Sequence, residues 1–275
     1  MGVNPNHQPL RNLLLVTSIF CGSSLAVFAE ENPKKDESPL DLKTLKLADS
    51  DYAMPLPGEI LSTLKSAKPE AWKQVTAAAQ TLDVAADDEA SSAILLGASV
   101  ADCFLAIETK DTALFDKRSD TALEAAKKLG AEQPILDSGK TLKDLVKEGA
   151  WMKVVPKLDN LHLETLAAMR KIDDTDSEAI TLASGWLRGL YLFSEGLLAD
   201  YSAEPTLALR QKDLVNHLIT KLNGISDSAK ESTQVKALSA ALGKLPAALP
   251  EAKDATLTKE QVATLNAIAK SAFVK

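Results

Sequence analysis

Residues 184–191 have the sequence Ser-Gly-Trp-Leu-Arg-Gly-Leu-Tyr, and this stretch carries most of the fold prediction. Gly185 and Gly189 are four residues apart, so both lie on one side of an α-helix. A glycine inside a helix costs about 1 kcal/mol relative to alanine, so we expect this pair to offset that cost by letting another helix come close. An earlier apolar segment repeats the spacing with three small residues, Ala93, Gly97 and Ala101. The two segments are therefore predicted to be central helices that cross each other closely.

The chain after residue 57 has a helical pattern throughout. Apolar side chains recur with the helical period, and we find no alternating strand pattern and no hairpin turn signal. Short connections favour antiparallel neighbours, so the predicted fold class is all-α, a bundle or shallow superhelix of antiparallel helical hairpins. The predicted helices are 58–67, 69–82, 88–109, 111–129, 134–148, 150–172, 176–201, 204–223, 228–245 and 258–274.

Residues at the helix ends support these boundaries. Three glycines follow predicted helices where a left-handed C-cap is expected: Gly130, Gly149 and Gly224. Three pairs fit the capping box at a helix start: Thr175 with Glu178, Ser228 with Glu231, and Thr258 with Gln261. In the predicted helix 204–223, one apolar face is formed by Leu207, Leu214, Leu218 and Leu222.

Composition limits the classes of partner. The chain has 275 residues, enough for a sizeable core. Its formal net charge is −7, which argues against nucleic acid and anionic lipid surfaces because both favour a basic face. The expected partner is therefore a protein or a small ligand. No cofactor is predicted, because no nucleotide-binding or metal-binding motif stands out in the sequence.

The amino terminus has the pattern of a secretory signal peptide. A polar segment with Arg11 precedes an apolar run at residues 13–21, and Val27 and Ala29 fit the small-residue cleavage site. The predicted domains are a signal peptide at 1–29, a flexible leader at 30–57 and a helical domain at 58–275. The apolar run is too short and too interrupted for a spanning anchor. We therefore expect a periplasmic or secreted protein, with no transmembrane segment after cleavage.

An alternative is a lipoprotein acylated at Cys21. This is disfavoured because Phe20 stands where a small residue precedes a lipidated cysteine. If the signal is cleaved after Ala29, Cys103 is the only thiol left and cannot form an internal disulfide. We expect Cys103 to be a buried apolar residue on its helix.

Each of the two long apolar segments carries one isolated charge, Asp102 in the first and Arg188 in the second. A buried charge needs a partner or a route to water. The simplest arrangement pairs the two as a structural ion pair. The alternative is the polar floor of a ligand-binding cleft with Trp186, Tyr191 and Glu195 nearby.

Three segments resemble landmarks of a group of uncharacterised exported helical proteins and lipoproteins of Bacteroidetes and related bacteria. They are Gly97 to Asp102, Asp120 to Leu129 with Gly130 following, and Ala183 to Tyr191, in which Gly-Trp-x-x-Gly-Leu-Tyr is the most specific part. The resemblance covers about residues 90–200 and implies an exported helical fold without an assigned activity. An acidic residue often stands in that group where this chain has Arg188. The departure weakens the hypothesis of a carboxylate pair that binds a cation.

Other candidate sites have a structural interpretation. Acidic clusters at 87–89 and 173–176 are expected to cap helix starts. His162 and His217 lack the partners of a zinc site, and Gly139-Lys140-Thr141 lacks the first glycine of a phosphate loop. No catalytic or metal-binding residues are predicted.

The leading functional hypothesis is a non-catalytic helical scaffold or binding protein of the bacterial envelope. One alternative is a small-ligand-binding or enzymatic site between helices 88–109 and 176–201. Another is an accessory subunit of an envelope transport or assembly complex. An open cleft at Asp102 and Arg188 would favour the ligand site, whereas a sealed core would favour the scaffold.

Overall fold

The computed structural model describes residues 61, 63–64, 68–209, 211–250 and 255–274, all of which belong to one folding unit. Helices account for 79% of this part and none of it forms a strand, which confirms the all-α prediction. The predicted signal peptide and leader lie outside the described residues. So does most of the predicted helix 58–67, of which only Leu61, Thr63 and Leu64 are described.

Ten α-helices pack against one another in the described part. In chain order they are α1 Pro69–Gln80, α2 Glu89–Thr109, α3 Thr112–Lys128, α4 Gln133–Lys147, α5 Trp151–Lys171, α6 Thr175–Ala199, α7 Lys212–Asn223, α8 Asp227–Lys230, α9 Thr233–Ala248 and α10 Lys259–Lys270. A short 3-10 helix, Glu204–Leu209, lies between α6 and α7.

The core is centred on α2 and α6. These two helices pack most extensively on each other, and α6 also contacts α1, α5, α7, α9 and α10. Every residue of α2 from Ala90 to Ile107 is buried. By length and composition α2 could also span a membrane, but 94% of its most apolar window is buried inside the protein. The other helices cover it as they would the core helix of a globular protein.

Helix ends follow the predicted chemistry in part. Gly130 and Gly149 have φ of 65° and 70°, the left-handed conformation in which glycine avoids a Cβ clash. Gly224 is a C-cap with φ of −83°, so the left-handed prediction is wrong there. The capping box of Thr258 with Gln261 is confirmed, since each side chain bonds the other residue's backbone amide.

The other two predicted capping boxes are wrong. At α6 the capping residue is Asp174, whose carboxylate accepts from the Ser177 amide at 3.0 Å. At α8 it is Ser226, whose hydroxyl accepts from the Ala229 amide at 3.3 Å. In both places an earlier residue reaches the free amides first, so the helix begins before the predicted box. Asp88 caps α2 in the same way, as expected for the first acidic cluster.

Two predicted helices are divided. The segment 204–223 is a 3-10 helix followed by α7, and 228–245 is α8 followed by α9. The 3-10 helix is held from outside, because the Thr206 hydroxyl accepts from the Leu257 amide at 2.9 Å. Leu207 is consequently 40% exposed and does not join the buried face of α7.

Candidate functional site

Helices α2 and α6 cross so closely that their backbones are in direct contact. A Cβ added at Gly97 would overlap the Thr181 carbonyl oxygen and would lie 2.8 Å from the Gly185 amide nitrogen. A Cβ at Gly185 would lie 3.2 Å from the Gly97 carbonyl oxygen. The Thr181 hydroxyl also donates across the crossing, to the Ala93 carbonyl at 3.2 Å. The predicted close approach is confirmed at Gly97 and Gly185, and both face the core.

Asp102 and Arg188 form the predicted ion pair beside this crossing. Arg188 Nε donates to Asp102 Oδ1 at 2.8 Å, and Arg188 Nη2 donates to Oδ2 at 3.2 Å. This is the two-point geometry in which arginine binds a carboxylate most strongly. Both side chains are fully buried.

A second arginine completes the cluster, and sequence reasoning missed it. Arg118 of α3 lies with its Nε 2.9 Å from Asp102 Oδ2, and it is buried. Burial lowers the pKa of the Arg118 guanidinium, the Asp102 carboxylate opposes that, and the charge of Arg188 adds to it. Arg118 stands in a polar stretch, but it is one helical turn from Leu114 and from Ala122, both buried. That position on the apolar face is the signal that could have revealed it.

Two arginines and one aspartate leave an excess positive charge in the core. The end of α1 supplies further acceptors, which only the Nη2 atoms of the two arginines reach, and Arg188 Nη1 has no partner among the described residues. Arg188 Nη2 donates to the Ala79 carbonyl at 3.0 Å and lies 3.3 Å from that of Ala78, and Arg118 also donates to Ala79. The free carbonyls at a helix carboxyl end carry partial negative charge. The cluster therefore fixes α1 to α2, α3 and α6.

The three other predicted site residues do not converge with this pair on a cleft. Tyr191 is buried, and its ring centroid lies 5.4 Å from Arg188 Cζ, a cation–π distance. Trp186 donates from its indole to Gln211 at 3.0 Å. Glu195 accepts from Gln74 of α1 at 3.2 Å, in exposed surroundings. The structure therefore joins Asp102, Arg188 and Tyr191 in a sealed core. A binding role for the five residues stays a prediction, and the sealed surroundings are those expected of a scaffold.

A cavity of about 290 Å³ lies elsewhere, among α2, α3, α4 and α5. Its surface is mostly apolar. The apolar lining comprises Leu96, Val100, Phe115, Ala122, Leu123, Ile135, Leu136, Leu142, Leu158, Leu161 and Leu166. Enclosed apolar pockets with a few polar groups are the usual form of small-molecule sites. Sequence reasoning missed this cavity because no motif marks it.

Two groups of reactive type line the cavity, Cys103 and His162. Burial raises the pKa of the Cys103 thiol, and the neighbouring Asp102 charge raises it further. Burial lowers the pKa of the His162 imidazole to about 4. Both shifts favour the neutral forms, whereas a nucleophilic cysteine requires the thiolate. The pair is therefore poorly suited to covalent catalysis.

Charged groups occur only on the α3 and α4 sides of the lining. Lys143 Nζ pairs with Asp120 Oδ1 at 2.5 Å, and Lys140 lies one turn before Lys143 on α4. Within the described residues, no group of three or more His, Cys, Asp or Glu side chains is placed to hold a metal ion.

Comparison with protein-family models, with curated proteins and with solved structures found no match to this chain, so the fold and the site stand on their own geometry.

Proposed function

We propose that this protein is a non-catalytic binding protein of the bacterial envelope that holds a small, mostly apolar molecule in the cavity among α2, α3, α4 and α5. The observation that carries the proposal is the cavity itself, about 290 Å³ beside an otherwise closely packed core. Engineered apolar cavities of about 150 Å³ bind benzene-sized guests. The space is therefore large enough for a ligand.

The two parts of the fold have different roles in this proposal. The crossing of α2 and α6 and the Asp102 cluster give a rigid support. Helix α2 forms one wall of the cavity, with Leu96, Val100 and Cys103 in the lining. The neutral state favoured for Cys103 and His162 supports binding rather than covalent chemistry.

The binding test uses 1-decanol, a neutral alkyl chain with one hydroxyl, and follows the melting temperature of the full protein by circular dichroism. A ligand that binds only the folded state raises the melting temperature with its concentration. Ala122 lines the cavity and is buried, so Ala122→Phe should fill the space. Ala113 lies on the same helix but is exposed and outside the lining, so Ala113→Phe is the matched control.

We expect decanol to raise the melting temperature of the wild type and of Ala113→Phe, with no rise in Ala122→Phe. An equal rise in Ala122→Phe, with its helix content retained, would place the binding outside this cavity. Absence of any rise in the wild type would also contradict the proposal.

Export has its own test, because the envelope location comes from the amino-terminal sequence pattern. Mass spectrometry of the protein recovered from the periplasmic fraction should give a chain beginning at Glu30, the residue after the predicted cleavage site. An intact Met1, or a chain beginning at an acylated Cys21, would contradict cleavage by this route.

A further inference from the structure

We infer that the ligand of this cavity is a single-chain amphiphile with one anionic head group, its chain among α2, α3 and α5 and its head beside Lys140 and Lys143. This inference rests on the proposed function, which it makes more specific. It follows from the distribution of polar groups, from charge and from size.

The interior of the cavity offers no charge to a ligand. Hydroxyls in the lining are already used locally: Thr165 donates to the Leu161 carbonyl at 2.8 Å and Ser119 to the Asp116 carbonyl at 3.0 Å. His162 makes no hydrogen bond to any described residue, and its depressed pKa keeps it neutral near pH 7. An ionised head buried there would lack a counter-charge, which is costly. The head must therefore lie at the rim.

The charge at the rim selects an anion. Asp120 is already paired with Lys143, whereas Lys140 is exposed and has no ion-pair partner among the described residues. The lining therefore carries a net charge of +1, from two lysines and one aspartate, in a chain whose formal net charge is −7. A carboxylate at this position would pair with Lys140, whereas a cationic head would meet it with like charge.

The apolar surface beside these lysines favours an alkyl chain. Leu136 lines the cavity and is nevertheless 50% exposed, and its neighbour Ile135 is only partly buried. The buried residues of α4 are Leu142 and Val146, both in its second half. The first half of the helix thus presents apolar side chains that a chain in the cavity would cover.

The volume limits the ligand to one short chain. The cavity is about twice the size of an apolar cavity of about 150 Å³ that binds benzene, which has six heavy atoms. By this scaling it admits roughly twelve heavy atoms. Decanoate has that number, whereas a two-chain phospholipid is several times larger.

The test compares three ligands with the same ten-carbon chain, decanoate, 1-decanol and decyltrimethylammonium, by calorimetric titration of the full protein. Lys140→Gln is the test variant. Lys147→Gln is the matched control, because Lys147 is an exposed lysine of the same helix outside the lining. Each titration is repeated at low salt and at about 0.5 M salt, where a rim ion pair is screened.

We expect decanoate to bind most tightly and decyltrimethylammonium least. Lys140→Gln should weaken decanoate about two- to fivefold, the range of an exposed ion pair, and leave decanol unchanged. High salt should have the same selective effect, and Lys147→Gln should behave as the wild type.

Different failures separate the two proposals. If decanol binds as well as decanoate and Lys140→Gln changes neither, the anionic head is wrong and the apolar binding site stands. Tightest binding of the cationic ligand overturns the inference in the same way. If none of the three ligands binds, the proposed function itself fails.

A last experiment distinguishes a free amphiphile from a membrane lipid as the source of the ligand. Vesicles of phosphatidylglycerol present an anionic head and two long chains. We expect no co-sedimentation of the protein with them. Co-sedimentation that is lost in Ala122→Phe would place a membrane lipid chain in the cavity and overturn the assignment to a free single-chain ligand.

Discussion

The α2–α6 crossing and the cavity under α4 are both built from small and apolar side chains on helix faces, yet one is filled and the other is open. At the crossing, Gly97 and Gly185 bring two backbones into contact. At the cavity, Gly139 lies on α4 where an added Cβ would meet only Ile135 Cγ2, at an ordinary 3.7 Å. A glycine within a helix therefore does not by itself indicate that a neighbouring helix comes close.

Polar groups also serve different purposes in the two regions. Beside the crossing, Asp102 pairs with both Arg118 and Arg188, and the end of α1 accepts from both arginines, although Arg188 Nη1 has no hydrogen-bond partner among the described residues. In the cavity, His162 has no hydrogen-bond partner among the described residues. Buried groups that pair across four helices support a fixed structure, whereas a polar group that faces a cavity without a partner is available to a ligand.

The largest expected effect comes from breaking the charge cluster. Asp102→Ala should lower the free energy of unfolding by about 3–5 kcal/mol, because it leaves two buried guanidinium groups facing each other. Arg188→Ala should lower the free energy of unfolding by less, because Asp102 would still be paired with Arg118. Urea unfolding of both single variants and the double variant measures the coupling between the pair. Additive losses would show that Asp102 and Arg188 act independently.

The next largest effect is the pH dependence of stability that comes from His162, which lines the cavity. The pKa of His162 is about 4 in the folded protein against 6.5 for an ordinary histidine, so the unfolded chain binds more protons between these values. Stability should therefore fall as pH drops from about 6.5 to about 4, by about 3 kcal/mol from this group. The other ionisable groups of the lining are Cys103, Asp120, Lys140 and Lys143.

His162→Phe should remove this component from unfolding curves measured between pH 7 and pH 4. His217 is the comparison, because it lies outside the cavity lining and its pKa is also lowered, by burial and by Lys221. His217→Phe should keep most of the wild-type dependence. Identical pH profiles for the wild type and His162→Phe would contradict an imidazole that stays neutral in the folded protein.

Gly97→Ala tests the closeness of the crossing directly. Its Cβ would overlap backbone and side-chain atoms of α6, so the helices must separate. Overpacking of this kind costs about 1–3 kcal/mol, and we expect about 2–3 kcal/mol in thermal or urea unfolding. A neutral or stabilising effect would show that the two backbones can move apart freely.

Gly185→Ala should have a smaller effect at the same crossing. Its Cβ would lie 3.2 Å from the Gly97 carbonyl oxygen, which requires a shift of only a few tenths of an ångström. The gain in helix propensity offsets part of the strain, so we expect a loss of about 1 kcal/mol or less. A loss equal to that of Gly97→Ala would remove the asymmetry between the two glycines.

Gly139→Ala makes the same chemical change beside the cavity, and we expect it to stabilise the protein rather than destabilise it. The added methyl group makes only ordinary contact, and alanine favours the helix by about 0.5–1 kcal/mol. We expect a small rise in the midpoint of urea unfolding. Destabilisation would mean that α4 lies closer to its neighbours than the cavity implies.

Much of the fold could be predicted because it depends on local periodicity. Helix α2 differs from its predicted range 88–109 by one residue at its start. The Asp102–Arg188 pair was also predictable, since each was the only charge in a long apolar run and neither could stay unpaired. The role of Arg118 in the charge cluster was not predicted, because its neighbours in sequence are polar. The division of 204–223 into two helices was not predicted, because it depends on a hydrogen bond from the distant Leu257 amide to the Thr206 hydroxyl.

The sequence by itself determined where the helices form, that α2 and α6 are buried, and which small residues face inwards. These properties follow from side chains a few positions apart, which share one helix face whatever surrounds them. Only the tertiary structure decided that the crossing closes completely while the space under α4 stays open. A cavity depends on how four helices are spaced, and residues far apart in the chain set that spacing together.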